Sequence, residues 1–167
     1  MRILWKKING QNEKLIESWM SENDKHNLCM ETKNWTDTAR DISLCLKDMN
    51  NGWFGQYLGY VGSPAQPVVA IMLGIEESGK ALNLYNIIVN PSFRGLGIAK
   101  QAIRDIFDEN CFSLNKTFSR IKVFTLPKNP AMKKILLEQN FDEPQFDGEF
   151  LFYKKDLTKQ KKEEQSK

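Results

Sequence analysis

The chain has 167 residues, 41% of them hydrophobic and 27% charged, which suits one globular domain that buries about 70% of its unfolded surface. No apolar run approaches the ~20 residues of a membrane span, and the apolar stretch after Met1 is too short for a signal-peptide core. The sequence therefore predicts a cytoplasmic protein without a membrane partner. The net charge of +3 arises at the lysine-rich end, which predicts a domain over residues 1–153, a charged, disordered tail over 154–167, and no nucleic-acid-binding surface.

The cysteines and the single histidine argue against a metal or thiol centre. Cys29, Cys45 and Cys111 are widely spaced, and His26 is the only histidine in the sequence, so no metal-ligand spacing occurs. A nucleophile pair with His26 is formally open, but a cysteine within an apolar helical pattern, such as Cys45, is usually a small core residue. The sequence predicts no bound metal and a reducing compartment.

The first half of the chain changes from helical to strand-like patterning. Thr36 or Asp37 can cap the second of two helices, which Asn50-Asn51-Gly52 then ends. Three strand-like runs follow one another after that helix, which indicates an antiparallel meander. The predicted elements are a strand over residues 2–8, helices over 12–20 and 37–49, and strands over 53–61, 68–76 and 81–89.

The second half of the chain alternates between helices and strands. After a glycine turn, apolar residues recur at helical spacing from Ala99 to Phe107, which predicts a helix that lies on a sheet. An apolar run over residues 121–126 predicts a central strand, Asn129 opens another helix, and residues 150–153 close the sheet. This order of elements predicts an α/β (α+β) fold.

The glycine-rich turn lies between the last strand of the meander and the strong helix. The first turn of a helix has unpaired N–H groups and the positive end of the dipole, while Gly95 and Gly97 let the backbone approach a ligand. Arg94 adds a charge suited to phosphate oxygens, so a pyrophosphate is the natural occupant. Lys100 replaces the third glycine of a dinucleotide fold, and no P-loop pattern occurs. A turn that holds no ligand is the alternative.

The pattern V-x-P-x-x-R-G-x-G-x-A after a strand resembles the acetyl-CoA signature of the GNAT superfamily of N-acetyltransferases. Arg94, Gly97 and Ala99 match its Q/R-x-x-G-x-G/A core, and a partial match to N-x-x-A-x-x-L-Y-x-x-x-G-F runs from Asn129 to Phe141. The resemblance implies a mixed, largely antiparallel sheet of six to seven strands flanked by about four helices. It also implies transfer of an acetyl group from acetyl-CoA to an amine of a small molecule or protein. We expect a monomer or homodimer.

The resemblance further implies that acetyl-CoA lies between two splayed strands, residues 81–89 and 121–126. Main-chain groups of residues 87–89 would bond the pantetheine arm and polarise the thioester carbonyl, and the glycine turn would hold the pyrophosphate. Lys100, Lys133 or Lys134 could meet the 3′-phosphate. A helix N-cap is an equal interpretation of Asn129 and is compatible with ligand contact. The implied cofactor-binding residues are Ile87, Ile88, Val89, Arg94, Gly95, Leu96, Gly97, Ile98, Ala99, Lys100 and Asn129.

The acid–base groups of the family do not carry over to this sequence. The position of the usual glutamate base is Asn83, and the position of the usual tyrosine acid is Leu136, so neither side chain can ionise. The favoured hypothesis is a water relay held by Asn83 or Asn86, or by Tyr85, that ends at Glu76.

Two alternatives to this relay stay open at the level of sequence. The proton donor could be Tyr153 or Thr125, or the chain could bind acyl-CoA without catalysis, as a sensor module of the same fold. A protein-interaction domain that has lost the ligand is a further alternative. The aromatic residues of the first half could form an acceptor pocket, but are more often core residues. They are Trp19, Trp35, Trp53, Phe54, Tyr57 and Tyr60.

Overall fold

The computed structural model describes residues 1–28, 33–48, 53–75, 80–108, 111–112 and 118–157. Cys29, the predicted helix end at residues 49–52, Glu76 and residues 158–167 of the predicted tail lie outside the described residues. No helix in the described part of the chain is long and apolar enough to cross a membrane. The strands of the described residues are β1 (Leu4–Lys7), β2 (Trp53–Val61), β3 (Gln66–Ile75), β4 (Ala81–Val89), β5 (Arg120–Thr125), β6 (Gln145–Phe146) and β7 (Leu151–Asp156).

These strands form one seven-stranded sheet in the order β1-β2-β3-β4-β5-β7-β6. Neighbouring strands are antiparallel except β4 and β5, which are parallel. The predicted meander is therefore confirmed as β2, β3 and β4, and so is the mixed, largely antiparallel sheet. The closing strand was predicted to end at Tyr153 but continues to Asp156, because it pairs with β5 along that strand's full length, as far as Arg120.

Five α-helices occur in the described residues: α1 (Gly10–Glu17), α2 (Glu22–Asn27), α3 (Trp35–Asp48), α4 (Ile98–Asp105) and α5 (Pro130–Glu138). The sequence did not predict α2, because its six polar residues carry no apolar period. Its local signal is a capping box formed by Ser21 and Asp24. The predicted caps of α3 were wrong, since the side chain of Asn34 accepts the N–H of Asp37 at 2.8 Å.

The helices cover both faces of the sheet. Because side chains alternate along a strand, Ile71 and Leu73 of β3 join an apolar cluster with α4 and α5, whereas Met72 joins a second cluster with α1 and α3. Of the stripe that the sequence predicted, Ala102, Ile103 and Ile106 are buried in the first cluster, although α4 ends at Asp105. In the second cluster the ring of Trp35 is fully buried. The sheet is thus held from both sides, and its central strands are fixed in place.

Candidate active site

Strands β4 and β5 separate at the middle of the sheet. Their parallel pairing covers only Ala81 to Leu84, although β4 continues to Val89. At the same point β4 carries a bulge, because Met72 pairs with Asn86 while the next residue, Leu73, pairs with Leu84. The predicted splay is therefore present, and the later backbone groups of β4 on the β5 side have no ladder partner among the described residues.

The glycine turn follows β4 directly and leads into α4. Gly95 and Gly97 both have φ of +77°, and Gly97 occupies the N-cap position of α4. A side chain at either position would be strained in this left-handed region, although an added Cβ atom would have no heavy atom within 4 Å. The side chain of Asn90 fixes the entry to the turn, since it accepts from Ser92 N–H and donates to the carbonyl of Pro67. The first N–H groups of α4 are thus held beside open space.

The splay and the turn border one cavity of about 370 Å³, which we call the glycine-turn cleft. All the residues that the sequence assigned to the cofactor line it except Leu96, which is 64% exposed. The structure thus brings these residues together, while their role in binding stays a prediction. Lys133 and Lys134 are exposed on α5 and do not line the cleft. Lining residues that the sequence did not predict are Asp24, Phe93, Ala131, Met132 and Ile135.

The side chain of Arg94 is engaged by the protein. Its guanidinium donates to the carbonyls of Val89 (3.1 Å) and Trp19 (3.0 Å) and to Oδ2 of Asp24 (3.0 Å). Burial acts to raise the pKa of Asp24, but hydrogen bonds from Ser21 and Arg94 outweigh it, so the pKa lies below its usual value. Arg94 therefore ties the start of α2 to the end of β4, a role that the sequence did not predict.

The other two polar residues of the cleft also have structural partners. The ammonium group of Lys100 lies 2.8 Å from a carboxylate oxygen of Glu138. Asn129 caps α5, because its side-chain oxygen accepts the N–H of Met132 at 3.1 Å. With both cations of the lining ion-paired, the groups best placed to meet an anion are the backbone N–H groups at the start of α4.

A second cavity of about 360 Å³ lies beyond the splay, and we call it the aromatic chamber. It is formed by the end of α2, one face of α3, the middle of β4, the end of β5 and the segment that joins β6 to β7. Its lining residues are Leu28, Thr38, Ile42, Tyr85, Asn86, Phe124, Thr125, Leu126, Asp147 and Phe150. The rings of Tyr85 and Phe124 stack with centroids 6.1 Å apart and planes inclined by 6°. The chamber is mainly apolar.

A third, small cavity of about 30 Å³ lies between the other two, and we call it the passage. It shares Tyr85 and Thr125 with the aromatic chamber, and it shares Ile87, Asn129 and Met132 with the glycine-turn cleft. The passage thus runs through the splay of β4 and β5. A thin ligand that reaches along the splay from the cleft would meet a second ligand in the chamber.

The three residues predicted for the water relay lie in different places. Asn86 is 7% exposed and lines the chamber, with its amide directed to the sulfur of Met72 at 3.6 Å. Asn83 is fully buried within the paired part of β4 and donates to the hydroxyl of Tyr85 at 3.3 Å. Glu76 lies outside the described residues. Asn86 therefore lines the chamber, whereas Asn83 is linked to the chamber only through its hydrogen bond to Tyr85.

The two alternative proton donors have different surroundings. Thr125 lines both the chamber and the passage, and its buried hydroxyl has no hydrogen-bond partner among the described residues. Tyr153 is fully buried in the cluster with α4 and α5, lines neither cavity nor the passage, and has a pKa that burial raises. The structure favours a core role for Tyr153.

The aromatic residues of the first half do not form the chamber. Trp19, Trp35 and Tyr57 are at most 5% exposed and belong to the two apolar clusters, as the core interpretation predicted. The rings of the chamber are instead Tyr85, Phe124 and Phe150. The sequence around Phe150 carries no signal of this role, because the fold alone brings Phe150 to the same cavity as Tyr85 of β4.

The fold matches that of solved N-acetyltransferases. Spermidine N-acetyltransferase from Vibrio cholerae, in complex with CoA and spermine, is similar with a TM-score of 0.70 at 15% identity, over 94% of this chain and 96% of that one. N-acetyltransferase PseH from Campylobacter jejuni is similar with a TM-score of 0.61 at 16% identity, over 93% of this chain and 98% of that one. An acetyltransferase of the GNAT family from Staphylococcus aureus Mu50 is similar with a TM-score of 0.66 at 14% identity, over 93% of this chain and 99% of that one.

No protein-family model matches the sequence, and no curated protein is a significant match to it. The likeness is therefore one of structure, and it covers nearly the whole of each chain. Together with the seven-stranded sheet and the splay of β4 and β5, it defines the class: this chain has the α/β fold of the GNAT N-acetyltransferases.

Proposed function

We propose that the chain is a GNAT N-acetyltransferase that transfers the acetyl group of acetyl-CoA to an amine of a small molecule. The observation that carries this proposal is the passage, which joins the glycine-turn cleft to the aromatic chamber through the splay of β4 and β5. A two-substrate transfer needs two ligands whose reacting atoms meet within a few ångströms. The two cavities and the passage offer that arrangement.

The glycine-turn cleft fits the anionic part of acetyl-CoA. Gly95 and Gly97 leave open space at the positive end of α4, where backbone N–H groups can bond pyrophosphate oxygens. Further along the cleft, Phe93, Met132 and Ile135 offer apolar contacts to the thinner pantetheine arm. Because Arg94 and Lys100 are ion-paired, they contribute mainly through the local field. Binding of the phosphates in this proposal rests on the backbone.

The end of β4 is suited to bind the thioester group of acetyl-CoA. Acetyl-CoA supplies an activated carbonyl, and Ile87, Ile88 and Val89 line the cleft beyond the last β4–β5 pair. Backbone N–H groups of this stretch can donate to the carbonyl oxygen as negative charge develops on it. Removal of one such donor typically slows acyl transfer by about 10²–10³-fold in enzymes where this has been tested. The bulge and the splay thus expose the donors that the chemistry needs.

The acceptor amine has to lose a proton before or during attack. At an ordinary amine pKa of about 10.4, deprotonation at neutral pH costs about 4 kcal/mol. In this proposal Asn86 and Thr125 orient the amine and a water at the inner end of the chamber, and the water carries the proton to solvent through the chamber mouth. The C–N bond forms, the C–S bond breaks, and the thiolate takes a proton from water.

The test is the release of CoA thiol from acetyl-CoA, with and without amines, together with thermal unfolding. A ligand at 100 times its dissociation constant should stabilise the folded protein by about 2.7 kcal/mol. Thiol release that depends on an amine, with a product carrying one acetyl group, would support the proposal. No thermal shift at millimolar acetyl-CoA would overturn it. A thermal shift without thiol release would favour a binding module.

A further inference from the structure

The aromatic chamber differs in character between its inner and outer ends. At the inner end Asn86 and Thr125 are uncharged and at most 7% exposed, and the hydroxyl of Thr125 has no partner among the described residues. At the outer end Asp147 is exposed, in the segment that joins β6 to β7. The stacked rings of Tyr85 and Phe124 form part of the chamber wall, and both residues also line the passage.

Asp147 is held as a fixed carboxylate. Its Oδ1 accepts the backbone N–H of Phe150 at 2.7 Å and that of Glu149 at 3.0 Å, and these bonds keep the pKa of the carboxyl below its usual value. Both bonds go to Oδ1, so Oδ2 can accept a hydrogen bond from a ligand. Among the described lining residues Asp147 carries the one formal charge. A cation that follows the aromatic wall outwards would therefore meet a single, oriented anion.

The uncharged inner end and the single carboxylate at the outer end favour some amines as acceptors over others. The reacting amine must be neutral when it attacks, which suits an inner end without charge. A second ammonium group can pair with Asp147, but a third one along the apolar wall would lose hydration without an anionic partner. A carboxylate at the outer end would face Asp147 and be repelled.

We infer that the acceptor is a primary amine on an apolar chain or ring that bears one further cationic group at its far end, and that Asp147 binds this group. The inference rests on the proposed acetyl transfer and adds the substrate class. The inner amine lies between Asn86 and Thr125, the apolar spacer packs on Tyr85 and Phe124, and the outer ammonium donates to Oδ2 of Asp147.

The probes are four amines assayed with saturating acetyl-CoA: 1,5-diaminopentane, pentylamine, 5-aminopentanoate and spermine. The diamine should have the highest kcat/KM, roughly two- to fivefold above pentylamine, as expected for an exposed but well-oriented ion pair. The amino acid should be the poorest substrate, and spermine should fall below the diamine. Equal kcat/KM values for the diamine and pentylamine would overturn the inference and leave the proposed function standing.

The variant is Asp147→Asn, with Glu149→Gln as the matched control. Asparagine keeps an oxygen that can accept the two backbone N–H groups, so the segment should retain its shape while the charge is lost. We expect Asp147→Asn to raise KM for the diamine and to bring the ratio of kcat/KM between the diamine and pentylamine close to one. Glu149→Gln removes the same charge from the same segment, outside the lining of the chamber, and should change neither.

Each remaining outcome is decisive. Loss of activity towards the diamine and pentylamine alike in Asp147→Asn would show a structural role and overturn the inference, as would an equal effect of Glu149→Gln. Binding of acetyl-CoA without acetylation of any of the four amines would also overturn it. The absence of acetyl-CoA binding, seen as no thermal shift, would instead count against the proposed function.

Discussion

Replacement of Gly97 by alanine separates backbone strain from ligand binding. The residue has φ of +77°, where an alanine costs about 1–2 kcal/mol of folding free energy. The new Cβ atom would contact no protein atom within 4 Å, so strain is the whole expected effect on stability. For a chain of this size each kcal/mol lowers Tm by about 2–4 °C. Gly97→Ala should therefore fold normally, with a modestly lower Tm.

The same methyl group would stand in the glycine-turn cleft, where the proposal places a pyrophosphate. Loss of two N–H bonds to phosphate, at about 1 kcal/mol or more each, weakens binding about thirtyfold or more. At an acetyl-CoA concentration that stabilises the wild type by about 2.7 kcal/mol, Gly97→Ala should then gain only about 0.9 kcal/mol or less. Thermal unfolding with and without acetyl-CoA measures both quantities.

Gly62→Ala is the matched control for this prediction. Gly62 also has a positive φ, of +81°, and its added Cβ atom would make an ordinary contact, 3.5 Å from the carbonyl oxygen of Pro64. It lies between β2 and β3 and does not line the cleft. Gly62→Ala should lower Tm by a similar amount and keep the full shift with acetyl-CoA. If Gly97→Ala also kept the full shift, the backbone of the glycine turn would not be the phosphate site.

Three further changes test other parts of the structure. Asp24→Asn should tighten acetyl-CoA binding several-fold in calorimetry, since it removes an anion from an anion site. Because the pKa of Asp24 in the folded protein is lowered from 3.8, the wild type should lose stability as the pH falls below 3.8, and the variant should lack this part of the pH dependence. Burial lowers the pKa of Lys155 below 10.5, and its ammonium donates to the carbonyl of Gln139, so the wild type should gain stability as pH rises towards 10.5. Lys155→Met should abolish that gain in denaturant titrations. Trp35→Phe should reduce stability by about 1–3 kcal/mol, because its indole N–H donates to Gln56 at 2.7 Å, and should leave KM for amines unchanged. Unchanged acetyl-CoA affinity in the first variant, unchanged pH dependence in the second, or a raised KM in the third would contradict these assignments.

The part of the site that the sequence predicted is local in the chain. The path from β4 through Gly95 and Gly97 into α4 is encoded within about 25 consecutive residues, by an apolar strand, a turn that needs positive φ, and an amphipathic helix. Each of these signals acts on neighbouring residues, so the pattern and the structure agree. The same holds for Asn129, whose capping role follows from its position before Pro130.

The parts that the sequence did not predict depend on contacts between distant elements. Asp24 lies 70 residues from Arg94, and nothing near either residue indicates that they form an ion pair. The aromatic chamber is assembled from five separate segments, and Phe150 and Leu28 meet there only once the sheet has formed. The core interpretation of the aromatic residues of the first half was right for Trp35, but the rings that line the chamber in their place are decided by tertiary packing.

The central claim is that the glycine-turn cleft and the aromatic chamber are two halves of one site. A crystal structure of the chain with CoA and 1,5-diaminopentane tests it most directly. The account predicts the pyrophosphate within hydrogen-bond distance of the N–H groups of residues 95–99, the sulfur at the passage, and the amine in the chamber with one end at Thr125 and the other at Asp147. CoA bound away from the glycine turn, or an amine outside the chamber, would contradict it.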